Sequence, residues 1–278
     1  MTHALEMIPA HPGLHPAITY YYRLRLSYSV IDEWLLADSG HLWFFVSGGE
    51  GYIDWRQGER LFACPAMCTG PLSHSARMRL SGPMEYVGIP LTPEAWGRLL
   101  REDAEAYVDT AVDARLVLGD MMEEMAAAVR AAVGMRNLAD RLDALLLPRL
   151  RPMPEAHRAV LGAIRTWLNA RMFPHVDELY AHCRLSSRQV MRIAKRYYGA
   201  PPKLLARKYG ALRTASAIVA DQGRPPTEAV EHYADQSHMT RDLRQFTGQT
   251  PRGLRTRSSP LARQALSLGN FPEIIPYA

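Results

Sequence analysis

The first 150 residues of this 278-residue chain contain no lysine, and the whole chain has three cysteines, Cys64, Cys68 and Cys183. Three cysteines make no disulfide framework, and such sparse use fits a reducing compartment. No apolar run approaches the roughly 20 residues that span a bilayer; the densest, "LWFFV", covers 42–46. The opening "MTHALEMIPAHPG" has neither a basic leader nor an apolar stretch and does not read as a signal peptide. A cytoplasmic protein without membrane association is expected. No glycine-rich phosphate loop and no nucleophile elbow appears, so no catalytic residue is nominated.

What is present divides by charge. Residues 1–150 hold 13 arginines against 19 acidic residues, a balance of −6; residues 151–278 hold 20 basic against 9 acidic, a balance of +11. A basic half of this kind suits a polyanionic partner. The change coincides with "PRLRPMPE", three prolines in eight residues, which marks the expected domain boundary.

The first ninety residues read as short strands and turns, a small barrel or sandwich. "ITYYYRLRLSYSVI" is aromatic and β-branched, and "HLWFFVSGGEGYIDW" carries a hairpin signal, two apolar runs around glycines. "RLFACPAM", "ARMRL" and "MEYVGIPL" continue the series. At "LTPEAWGRLL" the period becomes helical, with Thr92 as a cap and Pro93 in the first position. Met122, Met125, Val129 and Val133 form one stripe, expected to pack on the barrel or on a second subunit. Cys64 and Cys68 are expected as small buried thiols in a barrel strand, and Cys183 as helix packing. No metal and no cofactor is assigned, because His41 and His74 stand alone. Trp43, Trp55, Trp96 and the Tyr20–Tyr22 run are candidates to line a ligand cavity, with barrel core as the default.

Beyond the boundary one pattern occurs twice. "RLSSRQVMRIAKRYYGAPP" (184–202) returns 49 positions later as "YADQSHMTRDLRQFTGQTP" (233–251). Ser186 and Asp235 cap, and Gly199 and Gly248 stop the two helices. Val190, Ile193, Ala194 and Tyr197 form one apolar stripe, matched by Met239, Asp242, Leu243 and Phe246. Asp242 is out of character there and is expected at the stripe edge or beside a base. Arg188, Met191, Arg192 and Lys195 share the opposite face, matched by Ser237, Thr240, Arg241 and Arg244. Short helices and tight turns before each copy complete two helix-turn-helix units, whose second helices fit a major groove. Between them, residues 203–220 form a helix about 27 Å long. Such a spacer suits two grooves one DNA turn apart, about 34 Å.

On these residues the chain resembles the AraC/XylS family of transcription regulators. "YADQSHMTRDLRQFTGQTP" is similar to that family's C-terminal signature, and "LSSRQVMRIAKRYYGAPPKLL" to its first motif. The resemblance implies a seven-helix DNA-binding domain over about 155–258, behind a cupin-like sensor or dimerisation domain over 1–150; residues 259–278 are left as a tail. The fold class is therefore α+β, a small cupin-like β-barrel with helices followed by an all-α domain with two helix-turn-helix motifs. By the motif, Arg188, Met191, Arg192, Gln236, Ser237, Thr240 and Arg241 face bases and phosphates; Lys195 and Arg244 join them by spacing. Promoter DNA is the expected partner, with RNA polymerase implied by the resemblance. The acidic half is expected to bind a small-molecule effector or to form a homodimer rather than to catalyse. Residues 155–278 are expected to fold and bind DNA alone. Arg184 and His232 stand where the family has glycine, Tyr180 replaces a small core residue, and "TEAVEH" is about two residues short. These departures leave open whether the second unit reads bases or only phosphates.

Overall fold

β-Branched and aromatic residues favour the pleated surface of a sheet, and in the computed structural model they extend almost continuously to position 91. The structure describes residues 3–55, 58–62, 64–220, 224–257 and 259–267. Its strands are β1 (His3–Pro9), β2 (Tyr20–Leu26), β3 (Val30–Leu35), β4 (Gly40–Ser47), β5 (Gly51–Trp55), β6 (Gly58–Phe62), β7 (Ala66–Thr69), β8 (Ala76–Ser81), β9 (Met84–Leu91) and β10 (Ala111–Asp113). A six-stranded sheet runs β1-β2-β9-β4-β7-β10, and a four-stranded sheet runs β3-β8-β5-β6. β8 shows the reason for the layering: Ala76, Met78 and Leu80 point inward while Arg77 and Arg79 do not. Residues of both sheets line one cavity, so the sheets face each other. Among the described strands no closed ring of hydrogen bonds forms, and the expected barrel is two facing sheets.

The expected hairpin over 41–55 does not form. β4 pairs with β7 and β9, whereas β5 pairs with β6 and β8 in the other sheet. Gly48 and Gly49, at φ +64 and +93, turn the chain across the gap in a conformation that side chains disfavour. Glycine there marks a corner between layers. β1 was not foreseen; it adds to the sheet edge along β2 from His3↔Leu26 to Pro9↔Tyr20.

The helices before the boundary are α1 (Pro93–Ala95), continued by a wider turn over Trp96–Leu100, then α2 (Arg115–Leu118), α3 (Met121–Arg130) and α4 (Gly134–Leu146). Pro93 takes the first position as expected, but Thr92 does not cap. Its hydroxyl donates to the Pro16 and Ala17 carbonyls at 2.7 and 3.0 Å. Met122, Met125 and Val129 are buried, while Val133 is 87% exposed because α3 has already ended. α4 lies on the larger sheet, where Asp143 accepts from the Tyr21 hydroxyl at 2.7 Å and the His11 N–H at 3.1 Å. Cys68 is buried in β7, and burial pushes its thiol up to about 12. Cys64 departs from expectation: it is half-buried and precedes β7. Cys183 is half-buried against the core.

After the proline-rich stretch come α5 (Glu155–Ala170), α6 (Val176–His182), α7 (Ser187–Tyr198), α8 (Pro202–Ala220), α9 (Thr227–His232), α10 (Gln236–Thr247), α11 (Pro251–Arg257) and α12 (Pro260–Ala265). The spacing of Leu205, Tyr209, Leu212, Ser216 and Val219 predicts one buried stripe on α8, but Ser216 and Val219 are only half-buried. Leu205, Tyr209 and Leu212 are buried, but so are Lys208, Ala211, Thr214, Ala215 and Ile218. It is a central helix with α5, α6, α10 and α11 packed around it. Helices covered on most sides lose the simple amphipathic stripe. The expected tail is partly ordered as α12, and residues 268–278 lie outside the described residues. Among the described residues no helix is long and apolar enough to cross a membrane.

The two halves meet at an ion pair between buried Glu94 on α1 and half-buried Arg165 on α5, at 3.1 Å. Burial pushes the Glu94 carboxyl above its ordinary range, and Arg165 offsets only part of that. Folded Glu94 thus holds its proton more tightly than unfolded Glu94, whose ordinary value is 4.5. The contribution to stability is full below that value and is lost as pH rises through the raised folded value. Urea midpoints measured upward from pH 4.5 should fall for the native chain relative to Glu94→Gln, which has no carboxyl to titrate. Arg165→Met should cost about 3 kcal/mol near neutral pH by stranding a buried carboxylate. Parallel pH dependence of the two chains would contradict the first expectation.

Candidate nucleic-acid interface

α7 and α10 are built alike. Their bounds are 187–198 and 236–247, so each limit of the second lies 49 beyond its counterpart. A helix begins with N–H groups that lack partners. Ser186 accepts from the Gln189 N–H while the Gln189 side chain accepts from the Ser186 N–H at 3.0 Å, a complete capping box. Asp235 does the same work for α10, accepting from the His238 N–H at 2.7 Å. Both helices stop at a left-handed glycine, Gly199 at φ +68 and Gly248 at φ +74.

The inner faces follow the expected stripes. Val190, Ile193, Ala194 and Tyr197 are buried, as are Met239, Leu243 and Phe246. Asp242 is also buried, 2% exposed, and its charge is met by Arg207 of α8 at 2.7 Å. His238 stands 3.9 Å from its other oxygen. The misplaced carboxylate is therefore a cross-brace from α10 to the central helix, the neighbouring base foreseen for it. His232 stacks on Phe173 with ring centroids 3.8 Å apart and planes 6° apart.

The outer faces carry the nominated residues. Arg188, Met191 and Arg192 are exposed on α7, with Lys195 half-buried; Gln236, Ser237, Arg241 and Arg244 are exposed on α10, with Thr240 half-buried. Among the described residues Arg188, Arg192, Arg241 and Arg244 enter no ion pair. Lys195 differs: it meets Glu105 at 2.9 Å, and the next residue, Arg196, meets Asp103 at 2.7 Å. Both acids belong to the N-terminal half. The α10 residues share one open concavity with His74 and Ser75 of the N-terminal half, and the α7 residues lie outside it.

The N-terminal half also holds the end of α10. The Ser75 N–H donates to the Gln245 carbonyl and the Ala37 N–H to the Phe246 carbonyl, each at 2.8 Å. The Gln245 side-chain amide returns a bond to the Ser73 carbonyl at 3.5 Å. A Cβ on Gly248 would stand 2.1 Å from the Trp34 ring. Of these partners only the opposite charge of the two halves was legible in sequence; the 73–75 loop, Trp34, Asp103 and Glu105 carry no motif that marks them.

No protein-family model and no curated protein matches the chain. Among solved structures the chain is similar to ToxT from Vibrio cholerae O395, with 8% identity over 91% of this chain and 98% of that one, and a TM-score of 0.43. It is similar to wild-type ToxT of Vibrio cholerae strain SCE256 bound to an unsaturated fatty acid, with 7% identity over 83% and 91% of the chains and a TM-score of 0.43. It is also similar to the AraC-like transcriptional activator CuxR, with 10% identity over 73% and 84% and a TM-score of 0.32. At scores this low the likenesses decide nothing about function. The functional reading rests on the residues.

Gly248→Ala is the direct check on how α10 ends. Left-handed alanine alone costs about 1 kcal/mol, and displacing Trp34 should raise the total to about 2–4 kcal/mol. The same substitution in a Trp34→Ala background should cost less, and the difference in a double-mutant cycle measures the packing. Equal costs in both backgrounds would show that the ring does not press on this position.

Proposed function

We propose that this chain is a sequence-specific DNA-binding transcription regulator of the AraC/XylS type, in which two helix-turn-helix units present α7 and α10 to successive major grooves. The supporting observation is the duplicated helix. Two helices share length, caps, stop and inner face, and each leaves two unpaired arginines outside. A structural helix has no need of unpaired arginines at the matched exposed positions 192 and 241, whereas a groove has phosphates for them and guanine edges for a bidentate fork. α8, 19 residues long, spans about 28 Å between the units, near one turn of DNA. In this reading residues 1–150 are the sensor and dimerisation domain of a cytoplasmic regulator, residues 155–258 are the DNA-binding domain, and RNA polymerase is the downstream contact.

Asp103 and Glu105 then compete with DNA for Arg196 and Lys195. Each pair is exposed on both sides, so each is worth about 0–1 kcal/mol. Glu105→Gln should tighten DNA binding about two- to fivefold at low salt, and the gain should fade as salt screens the pair.

Arg192→Ala should weaken binding to a selected site by about 1–3 kcal/mol and relax base preference in one half of it. Arg241→Ala acts on the other half, and an even loss across all sequences would mark a phosphate contact. Five nominated residues are cationic and Arg196 makes a sixth, so the slope of log K against log salt should reach at most about −5.4. Binding of each variant to a randomised duplex library, with folding followed by circular dichroism, checks all of these. Folded variants with native affinity and preference would leave both helices as ordinary solvated surface.

A further inference from the structure

Between the two sheets lies a cavity of about 170 Å³. An engineered cavity of ~150 Å³ suffices for benzene, so this one suits a single substituted ring. Its wall is aromatic. Trp43 and Tyr86 stack with centroids 5.3 Å apart, and Tyr22 meets Tyr86 edge-on at 5.9 Å. Of the aromatic residues nominated in the sequence, Tyr20, Tyr22 and Trp43 line the cavity, while Trp55 and Trp96 are buried elsewhere. Leu261, Ala262 and Ala265 of α12 close one side.

The acidic side chains of the lining are not matched by lysine or arginine. Glu33 and Asp38 contribute carboxylates, and among the described residues no lysine or arginine lines the cavity. Lys208 lies nearby, but its ammonium is 3.5 Å from the Asp38 main-chain carbonyl and it lines a separate small crevice beside Ser39. Three side-chain atoms of lining residues are buried without a hydrogen-bond partner: Asp38 Oδ1, Ser39 Oγ and Trp43 Nε1. His41 Nε2 is 3.8 Å from the other Asp38 oxygen, and its Nδ1 shares a hydrogen bond with the Tyr22 hydroxyl at 3.2 Å. A buried carboxylate oxygen without a donor is costly. An N–H donor from a ligand relieves it, an acceptor relieves the indole, and aromatic faces attract a cation.

We propose that this cavity binds a small protonated aromatic amine, with its ammonium at Asp38 and Glu33, its ring among Tyr22, Trp43 and Tyr86, and an acceptor at the Trp43 N–H. The inference names the effector class of the proposed regulator and rests on that reading for its regulatory meaning, while binding itself needs no DNA. A carboxylate ligand would face two carboxylates here, with no lysine or arginine among the described lining residues. The lining segment also reaches α10. Trp34, Leu36, Asp38 and Ser39 border the cavity, Ala37 between them donates to Phe246, and Trp34 covers Gly248. An amine drawn onto Asp38 therefore bears on the strand end that holds α10.

The test is calorimetry of the full chain at neutral pH with tyramine, tyrosol and 4-hydroxyphenylacetate, one ring with a cationic, a neutral and an anionic tail. Tyramine should bind one per chain, about tenfold or more tighter than tyrosol, and 4-hydroxyphenylacetate should bind weakest. Asp38→Asn should remove most of the tyramine advantage while leaving tyrosol nearly unchanged. Glu33→Gln, at a half-buried strand position, should act in the same direction and serves as the second variant if Asp38→Asn fails to fold. Absence of tyramine binding, tighter binding of the anion, or native preference in the folded variants would overturn the proposal. Gel shifts on promoter DNA without ligand are run separately. A chain that takes tyramine but no DNA sinks only the regulator reading, and one that takes DNA but no tyramine sinks only the amine.

Discussion

The last turn of α10 is held from outside its own half of the chain. A helix ends with carbonyls that lack partners, and those of Gln245 and Phe246 find theirs in the main-chain N–H groups of Ser75 and Ala37. Gly248 leaves the chain in the left-handed conformation beneath Trp34, where any side chain would strike the indole. This junction sets the height and rotation of the exposed α10 face relative to the sheets. It also ties that face to residues 34–39, which border the internal cavity. The internal cavity and the candidate DNA face are thus separated by one strand end.

The two copies of the repeated helix are built the same way but docked differently. α7 meets the N-terminal half through exposed ion pairs, Lys195 with Glu105 and Arg196 with Asp103, and through Tyr197 and Tyr198, which are buried around one crevice with Pro71 and Trp96. Pairs of that kind are worth little individually and weaken with salt. α10 meets it through main-chain hydrogen bonds beside a packed aromatic ring, which salt does not screen. A polyanion can replace the ion pairs of the first copy but not the main-chain hydrogen bonds of the second. Arg207 braces Asp242 only in the second copy, consistent with a firmer seat for α10 on α8.

Local signals were reliable wherever the chain's own neighbours decide the conformation. Ser186, Asp235, Gly199 and Gly248 mark the ends of α7 and α10 because caps and left-handed stops act within one turn. They were less reliable wherever a distant partner decides. Apolar runs around glycines look the same in a hairpin and in a corner between sheets, and β4 and β5 took different sheets because other strands offered both of them partners. β1 was missed because an edge strand needs only β2 to receive it. The stripe through Met122, Met125 and Val129 stopped short of Val133 because Gly134 begins a new helix.

By itself, the sequence determined the strand-rich first part, the helical second part, the duplicated helix with its caps and inner stripe, and the opposed charge of the two parts. These depend on local propensity, short-range capping and periodicity, which are written along the chain. Only the tertiary structure decided that α8 is central, that Asp242 is braced by Arg207, that Lys195 and Arg196 face acids, and that Tyr22, Trp43, Tyr86, Glu33 and Asp38 surround one space. Each of those is a meeting of residues far apart in sequence. Their pairing depends on how two sheets and a helical bundle close on each other, and no spacing along the chain encodes it.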